Sequence, residues 1–405
     1  FFTSDGGNKW IQLKGGLPTI AVRDMEIQQR ENDLVLATFG RGFYILDDYT
    51  PLRHIKPSDL DQTAMILPVK DTWQYIESQP HGYPLKGFLG ESFFATANPK
   101  VGTVFTYYLK DDIKTIKEKR QEAEKEKIKK GEPVYYPSAD SIRLEDQQAE
   151  PYLLFTITDA NGMPVRKIKT AAKKGLKRLV WDLRYSAPGP VNFYTPNADN
   201  PYDGKETGAL VMPGTYKVSL SKFEDGVVTE LVAPQSFVVK ALNNASLPVA
   251  DRKMYDEFCK KVSEARRASG AASEYKNELG NRLKYIKGAI TETPGMTPAM
   301  IQTIHKLSER LQAINMMLNG DGSLARREFE TLPSVNDRIG TVESGMWSIT
   351  SAPTATFRKT LEIAEKQLRT VIADLKSLNN EIIDVEKQLD QLNAPYTPGR
   401  LPDLK

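Results

Sequence analysis

Apolar and polar residues alternate with a period of two through the middle of this chain and with a period near 3.6 through its last third. Between Leu153 and Leu220 three runs carry the shorter period. LLFTITDANGMPVRKI passes through Asp159-Ala160-Asn161-Gly162, a hairpin turn signal. KKGLKRLVWDLRY opens at Gly175 and carries Leu176, Leu179 and Trp181. ALVMPGTYKVSLSKF turns at Pro213-Gly214 and sends Tyr216, Val218 and Leu220 to one side. The pattern predicts a small antiparallel β-sandwich.

After Ser246-Leu247-Pro248 the period lengthens. Tyr255, Phe258, Val262, Ala265, Ala272, Tyr275, Leu279, Leu283, Ile286 and Ile290 mark one face of a long helix. Thr297-Pro298 supplies an N-cap and a first-turn proline for the next, whose stripe is Met300, Ile304, Leu307, Leu311 and Ile314. Val335, Ile339, Val342 and Met346 predict a shorter third helix. The last starts near Thr354 and runs to Leu392 with Phe357, Leu361, Ala364, Leu368 and their successors on one side. Such spacing predicts an antiparallel helical bundle over 248–405.

The front of the chain is also β in pattern. Three short strands are predicted, Val22 to Ile27, Asp33 to Thr38 and Gly42 to Asp47, with Gly40-Arg41-Gly42 as the tight turn between the last two. Residues 57–91 are punctuated by Pro57, Pro68, Pro80, Gly82 and Pro84 and read as a linker. Ser92 to Leu109 reads as strand. A charged helix, IKTIKEKRQEAEKEKIKKG, then ends at Gly131, inside an insertion at about 111–150. It falls within the β module of 92–243. The loop Ser186 to Thr207 is long and aromatic, and Phe193, Tyr194 and Tyr202 are its candidate contacts with a protein or glycan.

Two constellations resemble known families. TSDGGNKW fits the Asp-box pattern Ser/Thr-x-Asp-x-Gly-x-x-Trp through Thr3, Asp5, Gly7 and Trp10, with Lys9 where Thr or Ser is commoner. In such a turn Asp5 binds backbone amides, Gly6 and Gly7 take positive φ, and Trp10 packs beneath. Together with ATFGRGFYILDDYTPLR this resembles the last blades of the bacterial sortilin-like, BNR-repeat β-propeller family, often labelled glycosyl-hydrolase-like. The resemblance implies that residues 1–56 are terminal propeller blades and that the helical segment is the family's usual end. The combination Asp159, Gly162, Val165, Arg166, Gly175, Leu176, Trp181, Asp182, Arg184, Pro213, Gly214, Tyr216 and Val218 resembles the Ig-like module of the flagellar hook-capping protein. It implies a domain that spaces and joins others, with Trp181 as its core aromatic and Asp182 and Arg184 ordering the loop that follows. Arg41 invites comparison with the substrate-binding arginine of sialidases; the plainer reading is a turn arginine paired with a neighbouring carboxylate.

Composition narrows the functional classes. The 405 residues carry 55 Lys and Arg against 52 Asp and Glu, a net +3 that implies neither nucleic acid nor an anionic membrane as partner. No run of about 18 apolar residues is present to span a membrane. A single cysteine, Cys259, excludes an intrachain disulfide. It falls beside the helical stripe and reads as a buried structural thiol. His54, His81 and His305 lack companions at ligand spacing. Asp199, Asn200 and Asp203 fit no EF-hand, and Met316-Met317 reads as core filler. No catalytic, cofactor-binding or metal-ligating residue is therefore assigned, and no cofactor is expected.

Phe1 is neither an initiator Met nor part of a signal peptide, and the chain is expected to be part of a longer protein. The resemblance implies a noncatalytic binding or scaffold component of the bacterial cell envelope, periplasmic, surface-held or secreted. Its partners would be proteins, an outer-membrane complex among them, or a glycan. The alternative is a glycosyl-hydrolase-like enzyme whose paired carboxylates lie in upstream blades. A third reading is a peptidase- or secretion-associated component.

Overall fold

The computed structural model describes the chain apart from residues 4, 13–15, 18, 78–97, 198–199, 201–202, 244–250 and 402–405. His81, Asp199 and Tyr202 lie outside the described residues, as does the front of the strand expected from Ser92. The chain is a β-then-α multidomain protein. It divides into two compact units: Phe1–Arg184 with Pro213–Leu242, and Tyr185–Met212 with Asn243–Lys405.

The first unit begins with a three-stranded antiparallel sheet of β1 (Val22–Gln28), β2 (Asp33–Thr38) and β3 (Phe43–Leu46). A short helix, α1 (Thr50–Arg53), follows. The 57–91 stretch, expected as a plain linker, instead contributes two strands. β4 (Ala64–Ile66) pairs with β6 (Thr103–Leu109), and β5 (Thr72–Gln74) pairs in parallel with β11 (Val227–Ala241). Strands of three residues are too short to show a period, which is why the sequence hides them.

The charged insertion folds as α2 (Ile116–Lys129) and α3 (Ala139–Gln147). Thr115 caps α2 in a capping box with Glu118, and Gly131 follows its end at φ 72°. Arg120 binds Glu145 of α3 through Nε at 2.6 Å and Glu124 of its own helix at 2.6 Å. With no apolar stripe, the insertion is held largely by charge.

The remaining strands are β7 (Tyr152–Asp159), β8 (Pro164–Ala171), β9 (Gly175–Trp181) and β10 (Gly214–Glu224). They complete a five-stranded sheet, β5-β11-β10-β7-β8, and a three-stranded one, β4-β6-β9. Alternation puts Leu153, Phe155 and Ile157 of β7 on the face shared by Val218 and Leu220 of β10. Phe105, Tyr107 and Leu109 of β6 face them from the other sheet. Phe105 meets Phe155 at 6.1 Å and Phe237 at 5.4 Å between ring centroids, and Tyr107 meets Phe155 at 5.0 Å. Each buried ring is worth about 1.5–3 kcal/mol of transfer free energy, before edge-to-face contacts add to it. Trp181 is fully buried among them, 5.5 Å from Tyr216, and its Nε1–H donates to the Arg184 carbonyl at 3.0 Å.

In the second unit α4 (Arg252–Glu292), α5 (Pro298–Asn319), α7 (Val335–Trp347) and α8 (Ala355–Gln391) pack on one another, with the short α6 (Gly322–Ala325) between α5 and α7. Asp251, Thr297, Ser334 and Thr354 each accept a backbone N–H as N-cap. The predicted stripes form the core: Val262, Leu279, Ile286, Val342, Val371 and Leu378 are wholly buried. The segment Tyr185–Met212, expected inside the β module of 92–243, belongs to this unit, and Ala209 sits in its core. No helix among the described residues is long and apolar enough to cross a membrane.

Candidate functional site

The amino-terminal turn is built by polar groups close in sequence. Thr3 Oγ1 donates to Asp5 Oδ1 at 2.7 Å and accepts the Gly7 N–H at 2.9 Å, and Asp5 Oδ1 accepts the Lys9 N–H at 3.0 Å. Those bonds, with Lys9 first and Thr3 second, hold the Asp5 carboxyl below the usual range. Gly6 and Gly7 sit at φ 73° and 98°, and Phe2 and Ile11 exchange both backbone bonds at 2.8 Å to close the loop. Trp10, expected beneath the turn, is instead 60% exposed. The turn needs only its own polar atoms, whereas burying an indole needs a second apolar surface.

Beyond this turn β2 and β3 are apolar on both faces, while β1 alternates. Register puts Met25, Leu36 and Tyr44 on one face, with Ile27, Leu34 and Leu46. The other face carries Ala37 with Phe43 and Val35 with Ile45, and on β1 Asp24 and Glu26 opposite Ala37 and Val35. Met25 is 64% exposed and Phe43 75%, and Ile45 and Phe39 also face solvent. A strand with one wetted face alternates apolar and polar, as β1 does; strands apolar on both faces, as β2 and β3 are, suit cover on each side. Gly40 and Gly42 make the β2–β3 turn at φ 76° and 70°, and Thr38 Oγ1 donates to the Gly42 carbonyl at 2.7 Å. Arg41 at its tip is exposed, and the carboxylate partner expected for it is not found among the described residues. Two cations tie this sheet to the rest of its unit. Lys70 Nζ lies 2.6 Å from Glu31 Oε2, and Arg178 donates to the Asp47 and Asp48 carbonyls, both at 2.7 Å.

The residues that carry the Ig-like resemblance occupy turns and core. Asp159 Oδ1 accepts the N–H groups of Asn161 and Met163, both at 2.9 Å, and Gly162 takes φ 82°. Asp182 Oδ1 accepts the Arg184 N–H at 3.2 Å across Leu183, a buried leucine at φ 57°. Pro213 precedes β10, which Gly214 opens, and Tyr216 is buried beside Trp181.

The third region is the segment of the second unit between residues 185 and 212. Side-chain contacts fasten it to the helices of its unit. Tyr185 Oη donates to Asp256 Oδ1 at 3.3 Å, Trp347 Nε1–H donates to the Thr207 carbonyl at 2.8 Å, and Arg266 Nε lies 3.1 Å from Glu206 and 3.3 Å from Glu343. Part of it faces solvent: Phe193 is 97% exposed, with Val191 and Tyr194 also exposed. Tyr194 Oη donates to Asp203, which also accepts the Asn197 N–H at 2.8 Å. Sequence separation concealed the Glu206–Arg266–Glu343 cluster, and no local pattern marks it.

Chemistry-bearing groups stay apart. Among the described residues no three His, Cys, Asp or Glu side chains gather as a metal site. His305, read as partnerless, lies 3.2 Å from Glu309 on the exposed side of α5. Cys259 is buried, and burial pushes its thiol up to about 12, so it is no nucleophile at neutral pH. No protein-family model matches this chain, and no curated protein matches it.

Proposed function

We propose that the chain is a noncatalytic binding or scaffold component of the bacterial cell envelope. In this reading it is the carboxyl-terminal part of a sortilin-like, Asp-box β-propeller protein, followed by an Ig-like module and a helical docking domain. The observation that carries it is the sheet β1-β2-β3. A propeller blade packs against a neighbour on each face, and strands β2 and β3 of this sheet bear Leu36 and Leu46 on one face and Phe43 and Ile45 on the other. The Asp5-centred turn, of the kind that closes hairpins in such blades, supports the same reading. The facing sheets around Trp181 suit a spacer of Ig-like type. Protein or glycan would be recognised through the propeller, and exposed Phe193 and Tyr194 would add a contact.

The test is a side-by-side assay of the purified chain on glycan and peptide libraries, scored for binding and for turnover. Binding without turnover is the expected result. Turnover by residues 1–405 would overturn the scaffold reading. Turnover only by a longer protein containing them would favour the glycosyl-hydrolase-like alternative.

A further inference from the structure

One groove on the second unit is lined by charge of a single sign. It lies between α4 and α5 and has a volume of about 660 Å³. The charged side chains lining it are Lys276, Lys284 and Lys287, and no carboxylate lines it. The chain as a whole nearly balances its charges, and some lysines pair with acids on their own helix, as Lys129 with Glu126 and Lys359 with Glu362. None of the three groove lysines has a carboxylate partner among the described residues. Lys276 Nζ donates instead to Asn315 Oδ1 at 3.0 Å.

The opposite wall, from α5, is polar and uncharged: Ser308, Gln312 and Asn315. Gly280 lies between the walls, where an added Cβ would already touch Leu311 at 3.4 Å, so the absent side chain deepens the groove. Leu283 and Leu311 add apolar surface. From Lys276 to Lys287 the row of ammonium groups covers roughly 17 Å of helix at about 1.5 Å per residue. That is the reach of about five residues of extended peptide.

We propose that this groove binds an acidic peptide segment of a partner protein, its carboxylates spaced along the lysine row. No guanidinium lines the groove, so its charge comes from ammonium groups, which act as point charges toward carboxylate and phosphate alike. No aromatic ring lines it either, which removes the stacking platform of a single-stranded nucleic acid site. Gln312 offers both a donor and an acceptor, which match a peptide backbone; a polyphosphate or sulfated chain would present acceptors almost alone. This inference does not depend on the propeller reading, since every residue in it belongs to the helical unit.

The probe is a fluorescently labelled oligoglutamate of about ten residues, long enough to cover the lysine row in extended form. Anisotropy is read on the full chain at low and at high salt. The expected result is salt-sensitive binding that Lys276→Glu, Lys284→Glu and Lys287→Glu together weaken about tenfold or more, as removal of charge-assisted contacts should. Lys125→Glu, Lys127→Glu and Lys130→Glu on the charged insertion make the same change in net charge and are expected to leave binding within about twofold. Equal loss from both triple variants would show bulk charge and overturn the proposal. So would absence of binding, or tighter binding of heparin or an oligonucleotide through the same three lysines. The charge-neutral set Lys276→Gln, Lys284→Gln and Lys287→Gln, with an unchanged circular-dichroism melt, separates lost contacts from a damaged bundle.

Discussion

Arg282 of α4 and Glu386 of α8 meet inside the helical unit in a two-point ion pair, Nε to Oε1 at 2.9 Å and Nη2 to Oε2 at 2.7 Å. Both side chains are almost wholly removed from solvent, and Asn379 Oδ1 accepts a third bond from Arg282 at 2.7 Å. Gly399, at φ 93°, passes so close that a Cβ there would stand 2.8 Å from Arg282 Nε and 2.9 Å from Glu386 Oε1. The pair costs desolvation to form, but each half is costly to leave alone. Glu386→Leu is expected to destabilise the protein by about 3–5 kcal/mol, because it strands a buried guanidinium. Arg282→Met combined with Glu386→Leu should recover much of that loss. Urea denaturation of the two variants decides it, and a double variant no better than the single one would show that the charges do not act as a pair.

Trp181 anchors the facing sheets of the first unit. Trp181→Ala removes a fully buried indole and should cost about 3–5 kcal/mol. Thermal melts of wild type and variant measure it. An unchanged melt with loss of ligand binding would instead make Trp181 a recognition residue.

Glu343 sets a pH dependence. Burial pushes its carboxyl above the usual range, Arg266 draws it back down, and Glu206 adds to the rise. A raised folded-state value means that the folded chain holds the proton more tightly than the unfolded one. Stability contributed by the neutral carboxyl is therefore full below the unfolded value, about 4.3, and falls as pH rises through the folded value. Glu343→Gln is expected to be more stable than the wild type at neutral pH and equal to it in acid. Denaturation across that range checks the sign. A variant weaker at neutral pH would mean that the ion pair with Arg266 outweighs burial.

The segment 185–212 should loosen when its indole clasp is cut. Trp347→Phe keeps a ring in place but removes the donor to the Thr207 carbonyl. Faster limited proteolysis within that segment is expected, with little change in helical signal. Equal cleavage rates would assign the fastening to Arg266 and Tyr185 instead.

Much of the architecture was readable locally. The α8 stripe, from Leu361 to Leu389, repeats at three and four residues for the full length of the helix, and its cap at Thr354 is a side-chain preference. β2 was legible for the same reason, being bounded by Asp33 and Thr38 and followed by the Gly40-Arg41-Gly42 turn. β4 and β5 were not, because three residues carry no period. The place of Trp10 was misread because its motif specifies a turn and leaves the surface below it to the rest of the fold.

What the sequence determined by itself was the identity of most elements: where the chain alternates, where it coils, and where Gly162, Gly131 or Gly40 ends a run. Each follows from the geometry of a few adjacent residues. What only the tertiary structure decided was partnership. It placed Tyr185–Met212 with the helices although the segment lies between β9 and β10 in sequence. It buried Arg282 against Glu386, and it set Ser308, Gln312 and Asn315 of α5 opposite the lysines of α4. These outcomes depend on side chains far apart along the chain, whose meeting is set by how whole elements pack. No periodicity, cap or turn residue encodes such a meeting locally.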